Sequence, residues 1–164
     1  MESFMLVLST NWLAILVGAV SVFVIGFLWY NPKVFGTAWM KGIGMTAEDA
    51  GKGNMAKIFG VSFVMALLVS YYMARYPHEG AMHGAVHGIL YWLFMALPVL
   101  VTNSLYEQRS WTVIFINVGY WLVSFMVIGI VVYAIGEMPD YESLQPEEGE
   151  EAMRAVMNNV LPLC

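Results

Sequence analysis

Hydrophobic residues dominate four long stretches of the chain, and each stretch is nearly free of charge. At about 1.5 Å of rise per residue, roughly twenty helical residues cross the ~30 Å hydrocarbon core of a bilayer. Helices satisfy their own backbone hydrogen bonds in lipid, and these stretches are too long for barrel strands. The pattern therefore predicts four membrane-spanning helices at residues 11–30, 57–75, 84–106 and 111–135.

Aromatic and basic residues mark the ends of these predicted spans. Tryptophan and tyrosine collect at both ends, as in the aromatic belts of membrane interfaces. Five of the seven basic residues belong to the first and third connections, and cytoplasmic loops carry the excess of Lys and Arg. This bias predicts that both termini lie outside the cytoplasm. The five are Lys33, Lys41, Lys52, Lys57 and Arg109.

Two segments outside the spans have a helical pattern of their own. In the first connection, Asn31-Pro32 should end the first helix, and Thr46 with Asp49 is typical of a helix start. Residues 137–164 form an acidic tail with an amphipathic helix, whose apolar stripe needs a surface to bury it. We expect it to dock on helices of its own or a neighbouring subunit, or else on a separate partner or the lipid surface. The stripe consists of Met153, Val156, Met157, Val160 and Leu161.

The composition strengthens the membrane interpretation. Charged residues make up 12% of the chain, against roughly 25% in soluble domains, and hydrophobic residues make up 60%. A soluble domain of 164 residues could not bury that much apolar surface, so lipid must cover part of it. The net charge of −5 mostly reflects the acidic tail, and no basic patch for nucleic acid is present. The predicted fold class is all-α: an integral membrane four-helix bundle at residues 1–136 with an extramembrane amphipathic C-terminal helix.

A histidine–glycine repeat is the most unusual feature of the third span. Three ionisable residues, each followed by glycine, recur at four-residue spacing. On a helix, the ionisable side chains share one face and the glycines form a smooth groove beside it. The repeat consists of Glu79-Gly80, His83-Gly84 and His87-Gly88.

Three interpretations of the repeat stay open. Glycines four apart commonly let two helices approach closely, with the histidines bonded to backbone carbonyls. Ionisable groups in a membrane usually face a cavity or pathway, so Glu79, His83 and His87 could line a hydrated or proton-linked site. His83 and His87 could also chelate one divalent metal ion, with Glu79 or His78 as a further ligand. No other cofactor is indicated, and the single cysteine, Cys164, cannot form an intramolecular disulfide.

The third and fourth spans form a predicted antiparallel hairpin that holds two asparagines at similar depth. Residues of the two helices whose numbers sum to about 217 should lie at the same depth in the membrane. The depths of Asn103 and Asn117 should therefore differ by only roughly 4–5 Å. The pair could hydrogen-bond between the helices or line a polar cavity. Pro98 lacks a backbone donor, so we expect a free carbonyl at Phe94 and a kink.

Several motifs are spread over the chain. They are Asn11-Trp12-Leu13-Ala14, Gly26 to Pro32, Phe35-Gly36 with Trp39, His83-Gly84, His87-Gly88, Pro98, Asn103, Glu107, and Ile116 to Trp121. Together they resemble an uncharacterised family of bacterial membrane proteins that is catalogued as a domain of unknown function. The resemblance covers roughly residues 11–132 and leaves out the acidic tail. It implies a four-helix protein of the bacterial inner membrane and carries no settled activity.

The functional hypotheses follow from these features. No Ser-His-Asp arrangement, phosphate-binding loop or intramembrane carboxylate pair is present, which argues against an enzyme. Four short helices bury little protein surface unless copies pair, so we expect a homo-oligomer. The leading hypothesis is a passage or binding cavity for a small solute, ion or proton. The histidine face with Glu79 would form its outer mouth, and Asn103 and Asn117 its inner half. The alternatives are a scaffold or accessory subunit of a larger membrane complex and a metal-dependent membrane enzyme.

Overall fold

The computed structural model describes residues 11–50, 52–75 and 80–136. Within these ranges the regular secondary structure is helical, and four helices are long and apolar enough to cross a membrane. This result confirms the predicted all-α fold with four spans. The acidic tail, with its amphipathic stripe and Cys164, lies outside the described residues, as do His78 and Glu79.

The helices follow one another with short connections. Two π-helical turns interrupt the regular α-helices, at Pro32–Gly36 and at Trp92–Ala96. Because the second turn is continuous with both neighbours, the third span runs from Ala81 to Tyr106. The helices are α1 (Trp12–Trp29), α2 (Thr37–Ile43), α3 (Ala47–Ala50), α4 (Met55–Met73), α5 (Ala81–Tyr91), α6 (Leu97–Tyr106) and α7 (Trp111–Ile135).

Side-chain caps set where several helices begin. Asn11, Asn54 and Ser110 each accept a hydrogen bond from the backbone N–H three residues later, at 3.1, 3.0 and 3.4 Å. These bonds satisfy donors that every helix start leaves open. Thr46 and Asp49 cap α3 reciprocally, as the sequence predicts. The hydrogen bond from the Thr46 hydroxyl is the main reason that the pKa of the Asp49 carboxyl is lowered.

The last span, α7, lies at the centre of the bundle. It packs most extensively against α5 and α1, whereas α4 packs mainly against α1. The buried core lies between α1, α4 and α7, and many large hydrophobic side chains on the other faces are exposed. Exposed apolar faces are expected where lipid surrounds a protein. The core residues are Ala19, Val22, Ala66, Met73, Ile128, Val132 and Tyr133.

The bundle has two ends, which we name by their features. At the histidine end, α1 begins and α7 ends, and the Asn11 amide nitrogen donates to the Ile135 carbonyl at 3.0 Å. At the hairpin end, α6 turns into α7 through Gln108, which has a left-handed φ of 55°. Glu107 and Arg109 form an exposed ion pair at 2.9 Å in this turn.

Candidate functional site

The glycines of the third span lie where two helix backbones touch. A Cβ atom added to Gly84 would overlap the carbonyl of Gly129 in α7, and one added to Gly88 would overlap the carbonyl of Phe125. Only residues without a side chain permit this approach. Gly80 precedes α5 with a φ of 88°, and an added Cβ there would meet no described atom within 4 Å. The groove made by Gly84 and Gly88 is therefore filled by a helix of the same chain.

The two histidines lie beside this contact at the histidine end. Their ring centroids are 5.1 Å apart, as expected for neighbours one helical turn apart. His83 is exposed, whereas His87 is half-buried and shares a 2.7 Å hydrogen bond between its Nδ1 and the Tyr133 hydroxyl. The Tyr133 ring also meets the His87 ring edge-on. The bond to Tyr133 orients the imidazole and leaves its Nε2 atom as the other polar group.

A complete metal site is not assembled by the described residues. In residues 11–50, 52–75 and 80–136, no group of three or more His, Cys, Asp or Glu side chains lies close enough to hold a metal ion. His83 and His87 supply two ligands at most. A structural zinc site uses four protein ligands and a catalytic one uses three.

Asn117 is the polar centre of the hairpin end. Its side-chain oxygen accepts hydrogen bonds from the Tyr30 hydroxyl at 3.1 Å and from Trp39 Nε1 at 2.9 Å. Tyr30 caps the end of α1, and Trp39 belongs to α2. The Asn117 amide therefore connects α7 to α2 and to the end of α1. Asn103 instead lies exposed on α6, and the described partners of Asn117 are aromatic residues rather than Asn103. The Asn117 side chain therefore points toward Tyr30 and Trp39, and within the described residues no hydrogen bond joins the two asparagines.

Two further indole groups bind backbone carbonyls of α7. Trp29 Nε1 donates to the Ile116 carbonyl at 3.0 Å, and Trp92 Nε1 donates to the Val118 carbonyl at 3.0 Å. A carbonyl has two lone pairs, so it can accept such a bond in addition to its helical one. Trp29 lies at the end of the first span, where its sequence position indicates only the membrane interface, and Trp92 lies within the third span. Nothing in the local sequence around either tryptophan identifies α7 as its partner helix.

An aromatic cleft opens between the hairpin ends of α1 and α4. Its volume is about 690 Å³, and Tyr120 of α7 closes its back. A Cβ atom on Gly26 would lie 3.3 Å from the Tyr120 hydroxyl, so the glycine keeps this space open. The lining residues are Phe23, Gly26, Phe27, Tyr30, Asn31, Pro32, Phe59 and Tyr120.

Polar groups occur at the rim and the back of the aromatic cleft. At the rim, Asn31 Oδ1 accepts from a backbone N–H, while its amide nitrogen makes no hydrogen bond within the described residues. At the back, the Tyr120 hydroxyl donates to the Val22 carbonyl at 3.2 Å. Ser124 is fully buried one turn further along α7. Its hydroxyl lies near that of Tyr120, but it makes no hydrogen bond with any group in the described part of the chain.

The comparison with protein families gives a match over most of the chain. A family described as "Protein of unknown function (DUF1761)" matches residues 13–133. The chain belongs to the DUF1761 family. No curated protein and no solved structure matches it. The matched range covers nearly all of the four spans, and it includes His83, His87 and the residues that line the aromatic cleft. It ends before the acidic tail.

In the third span of this DUF1761 protein, Pro98 follows a π turn, which is wider than a turn of a regular α-helix. It lies two residues after the π turn at Trp92–Ala96, where the Leu97 N–H bonds to the Trp92 carbonyl. A π turn gives the proline ring room where a regular helix would press it against the carbonyl of Phe94. The helix therefore continues through Pro98 to Tyr106 instead of ending there.

Proposed function

We propose that this DUF1761 protein binds a small, mostly apolar solute in the aromatic cleft. The single observation that supports the proposal is the cleft itself, because its volume of about 690 Å³ falls in the range of small-molecule sites. Its walls are mainly aromatic, and its few polar groups lie at the rim and the back. Such a site favours a ligand with an apolar body and one hydrogen-bonding end.

The bilayer is the proposed source of the ligand. Phe27 and Phe59 line the cleft, and their side chains are 76% and 56% exposed, so the cleft is open to the surroundings of the helices. Within a membrane these surroundings are lipid, where an apolar solute is concentrated. The free amide nitrogen of Asn31 would donate a hydrogen bond to a carbonyl or ether oxygen at the polar end of the ligand.

The setting of this function is also part of the proposal. We place the protein in the bacterial inner membrane as a homo-oligomer, with both termini outside the cytoplasm. The excess of basic residues in the first and third connections supports this orientation. In that case the aromatic cleft lies in the cytoplasmic half of the membrane, and the histidine end faces outward.

The histidine end of the bundle has a separate role in this proposal. If solute or protons pass through the oligomer, Glu79, His83 and His87 would form the outer mouth. The exposure of His83 supports this role, since an exposed imidazole can meet water or a neighbouring subunit. Changes of His83 and His87 to alanine should then alter the flux of solute or protons across the membrane of reconstituted vesicles and leave the oligomer size unchanged.

The proposed binding of a solute can be tested by filling the aromatic cleft with a larger side chain. In Gly26→Leu, the added side chain would occupy the space in front of Tyr120. Gly60→Leu is the matched control, because an added Cβ at Gly60 meets no described atom within 4 Å. Wild-type and control proteins, purified in mild detergent and extracted with organic solvent, should release the same bound apolar molecules by mass spectrometry. Gly26→Leu should release far less of them.

A second variant separates ligand loss from misfolding. Phe59→Ala removes an exposed part of the cleft wall and should preserve the fold, as judged by thermal unfolding. It should still lower the amount of bound molecule, because a large aromatic contact is lost. Equal amounts of every extracted molecule in wild type, Gly26→Leu and Phe59→Ala would refute the proposal.

A further inference from the structure

A shallow groove of about 440 Å³ runs along the first turns of α4. Its lining residues recur at positions i, i+3, i+4, i+7 and i+8, so they form one stripe of the helix. Phe59 and Phe63 instead lie beside Phe23 of α1, with ring centroids 6.1 and 5.9 Å from it. The groove therefore faces away from α1, toward the surroundings of the protein. It is lined by Asn54, Lys57, Ile58, Val61 and Ser62.

The end of the groove nearest the start of α4 carries one positive charge that has no counterion among the described residues. Lys52 pairs with Glu48 and Asp49, at 3.4 and 3.0 Å. Lys57, in contrast, makes no ion pair in the part of the chain that the structure describes. Asn54 uses its side-chain oxygen to cap α4, which leaves its amide nitrogen as a donor. This end of the groove thus offers a cation and an N–H donor.

The rest of the groove is apolar except for the Ser62 hydroxyl. Ile58 and Val61 are 51% and 54% exposed, and they lie in a helix long and apolar enough to cross a membrane. Their exposed surface would be covered by a hydrocarbon chain at that depth. Ser62 adds a hydroxyl about 7.5 Å from Lys57 along the helix axis, because each residue rises about 1.5 Å. The charged end of the groove and the apolar part beyond it therefore follow each other in the same order as the headgroup and the acyl chain of a lipid.

We propose that this groove is a binding site for one anionic phospholipid. The phosphate contacts Lys57 and the Asn54 amide, and an acyl chain covers Ile58 and Val61. A phosphodiester without its own cation gains the full attraction of the lysine, whereas a zwitterionic headgroup already carries a positive charge. The site is separate from the aromatic cleft, so it does not depend on the proposed solute function.

Native mass spectrometry of the full chain in mild detergent can test this site. The probes are phosphatidylglycerol, phosphatidylcholine with the same acyl chains, and glycerol 3-phosphate. Lys57→Gln should weaken phosphatidylglycerol binding about fivefold, the effect of removing one basic residue near an anionic lipid. Lys57→Arg should restore most of it. Lys41→Gln, a matched loss of charge in the same connection but outside the groove, should leave the affinity unchanged.

Several results would overturn the proposal. Equal affinity for phosphatidylglycerol and phosphatidylcholine would show that the charge is not recognised. Tight binding of glycerol 3-phosphate would assign the groove to a free phosphate compound. An equal loss of affinity in Lys41→Gln and Lys57→Gln would indicate a general surface charge. Val61→Trp, which fills the exposed groove without touching the core, should weaken lipid binding, and unchanged binding would exclude the acyl-chain contact.

Discussion

Trp39 Nε1 donates a hydrogen bond to Asn117 Oδ1 across 2.9 Å, which ties the short helix α2 to the last span. The same oxygen accepts a bond from the Tyr30 hydroxyl, and the Tyr30 and Trp39 rings meet edge-on with centroids 5.2 Å apart. One side-chain amide therefore helps to hold the first connection against the bundle. This relationship makes Asn117 the polar residue whose loss should matter most at the hairpin end.

Asn117→Leu should destabilise the protein by about 1–3 kcal/mol, because it removes the acceptor of two half-buried donors. Unfolding by added SDS in mixed micelles measures the difference. Asn103→Leu is the control, since Asn103 is exposed and should change stability by less than about 0.5 kcal/mol. Similar losses in both variants would contradict the role given to Asn117.

Gly84→Ala should destabilise the contact between the third and fourth spans. The added methyl group would overlap the Gly129 carbonyl, and forcing a group into a close-packed contact costs about 1–3 kcal/mol. Gly60→Ala provides the comparison, because it adds the same methyl group where nothing lies within 4 Å. Alanine favours a helix over glycine, so Gly60→Ala should gain up to about 1 kcal/mol. A Gly84→Ala protein as stable as Gly60→Ala would be inconsistent with the close contact.

The hydrogen bond between His87 and Tyr133 can be measured with a double-mutant cycle. Tyr133 is buried and makes further interactions, so the single change Tyr133→Phe does not isolate this bond. Combined with His87→Phe, the cycle should give a coupling of about 0.5–1.5 kcal/mol. The exposed His83 is the control position, and the pair His83→Phe with Tyr133→Phe should show little coupling. Equal coupling at both histidines would argue against the specific bond.

Ser70→Ala should leave stability unchanged or raise it by up to about 1 kcal/mol. The Ser70 hydroxyl is fully buried and has no hydrogen-bond partner among the described groups, so alanine keeps the shape and removes an uncompensated polar atom. Ser62→Ala, at an exposed position of the same helix, should be neutral. A loss of more than about 1 kcal/mol in Ser70→Ala would mean that this hydroxyl is satisfied in the membrane.

The sequence was sufficient to predict the four spans, since long uncharged runs have few other stable arrangements in lipid. It also located the cap of α3 correctly from Thr46 and Asp49, because a capping pair interacts within one turn. The spacing of Gly84 and Gly88 predicted a smooth helix face for the same local reason. The helix that fills this face could not be predicted, because Gly129 lies 45 residues further along and shares no local pattern with it.

The candidate site was less predictable because depth and direction are separate quantities. The hairpin geometry placed Asn103 and Asn117 at similar depth. It gave no information on the direction of either side chain around its helix axis. Asn117 meets Tyr30 and Trp39, which belong to the end of the first span and to the first connection and lie far from the hairpin in sequence. The aromatic cleft depends on three helices at once, so no single run of residues indicates it.

The π turn at Trp92–Ala96 has a consequence for how the third span can change in length. A π turn accommodates one residue more than a regular helix. In a chain without Pro98, deletion of one residue within it would restore a regular helix and keep Gly84 on the one side and Asn103 on the other in their present directions. A deletion elsewhere in the span would rotate everything beyond it by about 100°. Natural length variation among members of the family should therefore concentrate at this turn.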